Sequence, residues 1–290
     1  MTTLVISAQP AEPSELLRAF RRLLRRRSAV VGGIFVLFFI LVAVLAPWIS
    51  PYDPAATNWS AVRKAPSMAH WMGTDEIGRD VLARMIWGAQ ASLLAGVVSV
   101  TIAVGLGVPI GLLSGYCGGW LDALLQRITD AMLAIPFLIL AIALAAFLGP
   151  NLTNAMIAIG ISTMPIFIRL TRGQVLSVKV EDYVEAARAV GNSHPRIAVR
   201  HVFPNVVAPV LVQATLSIAT AIIAEASLSF LGLGQQPPAP SWGSMLNVAK
   251  NFLSQAPWMT SFPGLAICLI VLGFNLLGDG LRDALDPKEN

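Results

Sequence analysis

Charge and cysteine are scarce in this 290-residue sequence. Only 12% of the residues are charged and 56% are hydrophobic, so a soluble domain of this size would have too little polar surface to cover itself. The two cysteines, Cys117 and Cys268, show no metal-ligand spacing, which argues against a disulfide framework or a zinc site. The composition is that of a membrane protein.

A nucleotide-binding loop is also missing. None of the lysines follows a glycine, so the sequence has no G-x-x-x-x-G-K-[ST] phosphate loop. We therefore predict that the chain is not an ATP-hydrolysing enzyme, and that energy from ATP would have to come from another chain.

Long apolar runs are the main feature that is present. A helix needs about 20 residues to cross the hydrocarbon core of a bilayer, and runs of this length indicate helices because barrel strands are about ten residues long and alternate. We predict an all-α polytopic membrane protein with six transmembrane helices, the fourth short and interrupted by Pro165. The six runs are residues 29–48, 91–113, 128–148, 152–168, 206–231 and 260–277.

The basic residues predict the orientation of these helices. With the N-terminus inside, 15 of the 20 lysines and arginines fall in cytoplasmic segments, so the positive-inside rule places both termini in the cytoplasm. The net charge of +4 is thus explained by topology, and a nucleic-acid partner is not expected.

The predicted spans divide the chain into five regions. Residues 1–28 form a cytoplasmic tail with an amphipathic helix at the lipid interface, and residues 29–48 form the first transmembrane helix. The remaining regions are an extracytoplasmic segment at 49–90, a core of five transmembrane helices at 91–278 with a cytoplasmic loop at 173–205, and a cytoplasmic tail at 279–290.

Two patterns outside that loop predict local packing. Gly107, Gly111 and Gly115 recur every four residues in the second span, a stripe that lets another helix approach closely. Before that span, Glu76 and Arg79, and likewise Asp80 and Arg84, have the spacing of acid–base pairs on a helix. We expect a surface ion network there, and a catalytic site is the less favoured alternative.

The loop at 173–205 interrupts the apolar sequence with charges and helix breakers. In EDYVEAARAVG (181–191), Tyr183, Ala186 or Ala187, and Val190 form one apolar stripe, and Gly191 is placed to end the helix. A second short helix follows. The alanines keep the stripe slim enough to enter a groove on another protein.

The same stretch resembles the EAA loop of ATP-binding-cassette (ABC) importer permeases. The general pattern has Ile and Leu where His201 and Phe203 stand, but RHVFPN (200–205) is similar to the RHxxPN variant of peptide permeases. Three further segments resemble the dipeptide, oligopeptide, nickel and glutathione permeases over nearly the whole chain. They are GTDEIGRD (73–80), SLSFLGLGQQPP (227–238) and LLGDGLRDALDP (276–287).

The resemblance implies a type I ABC importer permease fold in the bacterial cytoplasmic (inner) membrane. It implies a subunit that imports short peptides, or alternatively nickel or glutathione. The partners would be a homologous second permease, two ATP-binding subunits that hold ATP and Mg, and an extracytoplasmic substrate-binding protein. This chain itself would bind no cofactor. The implied coupling residues are Glu185, Ala186, Ala187, Arg188, Gly191 and Pro204.

Two acidic residues fall inside predicted spans. A carboxylate in a span is costly and suggests a substrate path, a proton site or a charge partner. For Glu225, in the outer third of the fifth span, a gate or pathway wall and a structural hydrogen-bonding role both remain open. Asp130 is expected to pair with Arg127 at the inner interface.

Two other classes of membrane protein are less consistent with the sequence. An ion-driven secondary transporter would show paired half-repeats and broken midplane helices, but the two halves show no convincing similarity. A membrane enzyme would need a nucleophile and a base that converge near one interface, and none is apparent.

Overall fold

The computed structural model describes residues 23–24 and 26–285. In this part of the chain the regular structure is helical, without strands, which confirms the predicted all-α class. The predicted interfacial helix before residue 23 and the tail from residue 286 lie outside the described residues. The helices are α1 (Arg27–Ile49), α2 (Val81–Cys117), α3 (Gly119–Leu133), α4 (Phe137–Leu148), α5 (Leu152–Val178), α6 (Asp182–Ala189), α7 (His194–Ile197), α8 (Phe203–Phe230), α9 (Trp242–Ala249) and α10 (Trp258–Leu285).

Two predicted spans differ from the structure. The third, at 128–148, is not one helix, because α3 ends at Leu133 and α4 begins after Pro136, with a bend of 91° between them. The fourth is neither short nor interrupted, because α5 is 27 residues long and passes through Pro165 without a break. Among the described residues, five helices are long and apolar enough to cross a membrane, or six if the bent pair α3–α4 counts as one span.

Helices α2 and α5 pack closely because both carry glycines at the contact. A Cβ atom at Gly111 of α2 would lie 2.6 Å from the Ile168 carbonyl oxygen of α5. In the other direction, a Cβ atom at Gly160 of α5 would lie 2.9 Å from the Ser99 carbonyl oxygen. The predicted packing stripe in the second span is confirmed.

A second contact region joins α1, α2, α9 and α10. The Trp242 ring is fully buried, lies edge-on to Phe39 of α1 with 5.3 Å between the ring centroids, and donates from Nε1 to the Met85 carbonyl of α2 at 3.1 Å. On α1, Gly32 closely approaches the backbone of α10 at Gly273. Helix α1 therefore packs against the same chain along one face, while its other face exposes large apolar side chains.

The stretch after α6 is continuous with the next span. Helix α7, a π-helical turn at Ala198–Val202 and α8 follow one another without a break, so that residues His194–Phe230 form a single helical segment of 37 residues. Pro204 lies just after the π-helical turn. Because proline has no N–H to donate to the preceding turn, it removes one helical hydrogen bond there, and the local widening of the helix lies at that point. We call the end of the molecule that carries α6 and α7 the α6 end.

Candidate functional site

Helix α6 is short and its sequence specifies both of its ends. Asp182 and Glu185 lie in its first turn and Arg188 in its last turn, an arrangement that complements the helix dipole. It ends in a Schellman motif, in which the Asn192 N–H donates to the Ala187 carbonyl at 3.2 Å and the Gly191 N–H to the Arg188 carbonyl at 3.0 Å. Gly191 has the positive φ of 82° that this motif requires.

One face of α6 is buried against its own chain. Val184 is completely buried and Ala187 is 6% exposed, and both belong to the same apolar cluster as Ile197, Val202 and Val206. Sequence reasoning missed Val184, although its spacing of three residues from Ala187 marks a common helix face. This contact fixes α6 on the segment that continues into α8.

The opposite face of α6 is exposed and partly apolar. Tyr183 is 45% exposed and Val190 is 79% exposed, so most of the predicted stripe faces outward. The structure does not gather the predicted coupling residues on one surface, because Ala187 belongs to the buried face. The exposed members are Glu185, Ala186, Arg188, Gly191 and Pro204. Glu185 and Arg188 form an exposed ion pair at 2.7 Å.

Side-chain hydrogen bonds fasten α6 and its surroundings to the spans. The Asn205 side chain donates to the Tyr183 hydroxyl at 3.0 Å and to the His201 carbonyl at 2.8 Å, which ties α6 to the start of α8. The Lys179 ammonium donates to the Gly115 carbonyl of α2 at 2.9 Å. Partial burial raises the pKa of the Tyr183 phenol, and the nearby Glu181 charge adds to the effect. The phenol thus remains a neutral hydrogen-bonding group.

Two ion pairs hold α3 to α5 near the same end. Arg172 donates from Nε and Nη2 to the two carboxylate oxygens of Asp122, at 2.6 and 2.7 Å. Asp130 pairs with Arg169 of α5 at 2.5 Å, so the expected Asp130–Arg127 pair is wrong. The true partner is 39 positions away along the chain, and the spacing within the span could not reveal it.

Glu225 lies in a closed polar cluster near the other end of α8. It is fully buried, and its two carboxylate oxygens accept hydrogen bonds from Ser229 Oγ at 2.7 Å and from Ser92 Oγ of α2 at 3.1 Å. The same serines accept from the Gln235 and Trp242 backbone N–H groups. Glu225 thus connects α2, α8 and the segment that leads into α9, and a gating role for it stays a prediction.

The acid–base residues before α2 form a buried network. Asp75, Arg79, Asp80 and Arg84 are each no more than 6% exposed, so the expectation of a surface network is wrong. Arg79 donates to Asp75 and to Glu76, both at 2.6 Å, and Arg84 lies 3.5 Å from Asp75. Burial raises the pKa of the Glu76 carboxyl above its usual value, and the charge of Asp75 raises it further.

Asp80 does not pair with Arg84, because it begins α2 as its N-cap. Its Oδ1 accepts from the Ala83 N–H at 2.7 Å and its Oδ2 lies 2.8 Å from His70 Nδ1. Arg84 instead donates to the carbonyl oxygens of Pro54 and Pro238, at 3.0 and 3.3 Å. The network therefore fastens the segment between α1 and α2 to the loop after α8. No three His, Cys, Asp or Glu side chains come together as metal ligands in residues 23–24 and 26–285.

Comparisons with known proteins match nearly the whole chain. Residues 107–290 match the family described as binding-protein-dependent transport system inner membrane component. Residues 14–66 match the N-terminal TM domain of oligopeptide transport permease C. The chain is similar to the dipeptide transport system permease protein DppC of Alkalihalophilus pseudofirmus, at 50% identity over 93% of this chain and 89% of that protein.

Two further matches agree with this result. The glutathione transport system permease protein GsiD of Escherichia coli O157:H7 is 46% identical over 98% of this chain and 96% of that protein. A chain of the MetNI methionine ABC transporter, in inward-facing conformations, aligns with a TM-score of 0.59 over 71% of this chain and 98% of that chain. Its sequence identity is 20%, so this likeness concerns the fold.

Proposed function

Because this chain belongs to the family of binding-protein-dependent transport system inner membrane components, we propose that it is the transmembrane subunit of an ABC importer that carries short peptides across the cytoplasmic membrane. The observation that carries this proposal is the 50% identity with a dipeptide permease across 93% of the chain. The exposed face of α6 supports it, because an importer without its own phosphate loop needs a surface on which ATP-binding subunits can dock.

The proposed mechanism assigns ATP to other chains. Two ATP-binding subunits, which hold ATP and Mg, dock on the exposed face of α6, with Glu185, Ala186, Arg188 and Gly191 at the contact. A homologous second permease completes the pathway, and a substrate-binding protein delivers peptide at the opposite end. When the ATP-binding subunits close, α6 and the segment joined to it move together, because the buried Val184 and the Tyr183–Asn205 bond hold them in contact. Alternating access requires that each state bind a partner differently.

Glutathione transport is the second candidate, since GsiD is similar over 98% of the chain. Glutathione is itself a tripeptide, so the two candidates share peptide-bond and carboxylate chemistry.

Reconstituted uptake tests the proposal and separates the two candidates. The complete transporter in proteoliposomes should take up labelled di- or tripeptides only with hydrolysable ATP, and an excess of glutathione should compete only if it shares the route. Uptake without ATP, or uptake by this chain in the absence of the ATP-binding subunits, would refute the proposal. Mass spectrometry of ligands retained by the cognate binding protein provides an independent identification of the substrate.

A further inference from the structure

A cavity of about 500 Å³ lies between α5, α8 and α10 toward the α6 end. Its apolar walls include Leu170 and Leu216, and its polar lining consists of Gln174 on α5, Gln213 on α8 and Arg282 on α10. Cavities of roughly 300–1,000 Å³ with apolar walls and a few polar groups are typical of small-molecule sites. The size and lining of this cavity therefore fit a ligand of a few hundred daltons.

The polar groups of the cavity are largely unused by the protein. Within the described part of the chain, Gln174 makes no side-chain hydrogen bond and Arg282 has no ion-pair partner. Gln213 donates one N–H to Ser217 Oγ at 3.2 Å, which leaves its amide oxygen unoccupied. Gln174 and Gln213 are half-buried and Arg282 is exposed, so all three keep polar atoms accessible to a ligand in the cavity. Polar groups within membrane spans commonly mark a substrate path.

The three polar groups lie at a similar depth. Gln174 and Arg282 lie within about one turn of the ends of α5 and α10. Gln213 is level with Arg282, because α8 and α10 run in opposite directions and a Cβ atom at Gly278, one turn before Arg282, would lie 2.6 Å from Leu216, one turn after Gln213. A passing solute and an anionic lipid headgroup would therefore meet the same groups, and the experiments below separate the two.

We propose that this cavity is a peptide-binding section of the translocation route. Gln174 and Gln213 bind the peptide backbone, since a primary amide supplies both a donor and an acceptor and so complements a peptide group whatever its side chain. Arg282 binds the C-terminal carboxylate, for which the guanidinium fork has a matching geometry. The apolar walls accept varied side chains. This inference rests on the proposed function and names the residues that recognise its substrate.

Photo-crosslinking in the complete transporter tests the site directly. We would place p-benzoylphenylalanine at Leu216, or at Leu170 if the first position prevents assembly, and irradiate proteoliposomes during uptake of a radiolabelled dipeptide. The expected result is ATP-dependent labelling of the chain at the cavity position and none at Leu265, which is exposed on α10 outside the cavity. Uptake of dipeptide without labelling at the cavity would overturn the inference while leaving the proposed function intact.

Variants then test two of the three recognising groups, Arg282 and Gln174, each against a matched control. Arg282→Gln should lower the labelling yield for the free dipeptide about tenfold, the effect of one charge-assisted hydrogen bond, and should not change the yield for the C-terminal amide. Gln174→Leu should lower both yields. The controls are Arg127→Gln and Gln255→Leu, exposed residues outside the cavity, which should leave labelling unchanged.

Three outcomes distinguish the proposals. If the wild-type transporter takes up no peptide, the proposed function fails first. If it takes up peptide and Arg282→Gln labels the acid as well as wild type does, the inference fails. If Arg282→Gln instead removes a tightly bound anionic lipid, seen by native mass spectrometry, without a change in peptide labelling, the cavity is a lipid site and the inference is again overturned.

Discussion

Gly191 offers a direct test of docking at α6, because its environment separates strain within the chain from contact with a partner. It occupies the position after the cap of a Schellman motif with φ of 82°, and a Cβ atom there would meet no other atom within 4 Å among the described residues. Because Gly191 is also exposed, we expect a larger side chain to cost this chain about as much as alanine does. If the variants are equally stable, a loss of binding that grows with side-chain size comes from contact with another molecule.

Gly232, at the opposite end of α8, is a matched control. It ends α8 in the same motif, with hydrogen bonds from the Gly232 N–H to the Ser229 carbonyl and from the Leu233 N–H to the Leu228 carbonyl. Its φ is 83° and an added Cβ would likewise meet nothing within 4 Å. Alanine or leucine at either glycine should cost about 1–2 kcal/mol, the strain of an L-residue in the left-handed region.

Variants at residues 191 and 232 should differ in their affinity for the ATP-binding subunits. A leucine side chain at residue 191 would enter the proposed contact and overpack it by about 1–3 kcal/mol, which corresponds to a further loss of roughly five- to 150-fold in affinity. We expect Gly191→Leu to bind the ATP-binding subunits far more weakly than Gly191→Ala. The Gly232→Leu and Gly232→Ala variants should bind them equally well.

Biolayer interferometry of the purified permease pair against the ATP-binding subunits measures these affinities, and thermal unfolding in detergent confirms that the four variants are similarly stable. Equal binding by Gly191→Ala and Gly191→Leu would refute the reasoning. So would a matching loss of affinity in Gly232→Leu, because that result would place the effect in the fold of the chain.

Three further predictions concern the packing and the polar clusters. Gly111→Ala should lose about 1–3 kcal/mol of stability by overpacking the α2–α5 contact. The control Gly105→Ala, whose added Cβ would meet nothing within 4 Å, should be neutral or gain up to about 1 kcal/mol of stability. Thermal unfolding that finds the two variants equally stable would contradict the close packing. Glu225→Leu should lower the free energy of unfolding by about 1–3 kcal/mol because it leaves buried serine hydroxyls without their acceptor. Glu225→Gln should retain most of the stability. A stable Glu225→Gln variant that loses uptake would identify Glu225 as a gate. Asp75→Ala should lower the free energy of unfolding by about 3–5 kcal/mol by leaving buried arginines without their partner. The control Glu185→Ala, in an exposed pair, should cost no more than about 1 kcal/mol. Chemical unfolding curves that give both variants the same stability would refute the buried network.

Hydropathy predicted where the chain crosses the membrane but not where its helices begin or bend. Helix α2 begins at Val81, ten residues before the predicted span at 91, because Asp80 caps it and Arg84 is buried with partners from distant loops. The bend at Pro136 was visible in the sequence, yet the surrounding apolar residues made 128–148 resemble one span.

The candidate site was predictable to a similar degree. The position of α6 and its end at Gly191 follow from local sequence, and the structure agrees with both. Which residues of α6 face inward depends on contacts with Ile197 and Val202, beyond the helix itself, so the burial of Val184 was missed. Likewise, the cavity lined by Gln174, Gln213 and Arg282 brings together three helices whose mutual positions no single segment encodes.

The continuous helical segment from His194 to Phe230 would amplify a movement if it tilted as one rigid body. Its 37 residues extend about 55 Å at 1.5 Å per residue, so that a tilt of about 10° pivoted at its first turn displaces the far end by about 10 Å. The serine-bound carboxylate of Glu225 lies within the last two turns of this helix. A small displacement near residue 191 would thus become a larger displacement at the Glu225 cluster, which connects α2 with the start of α9.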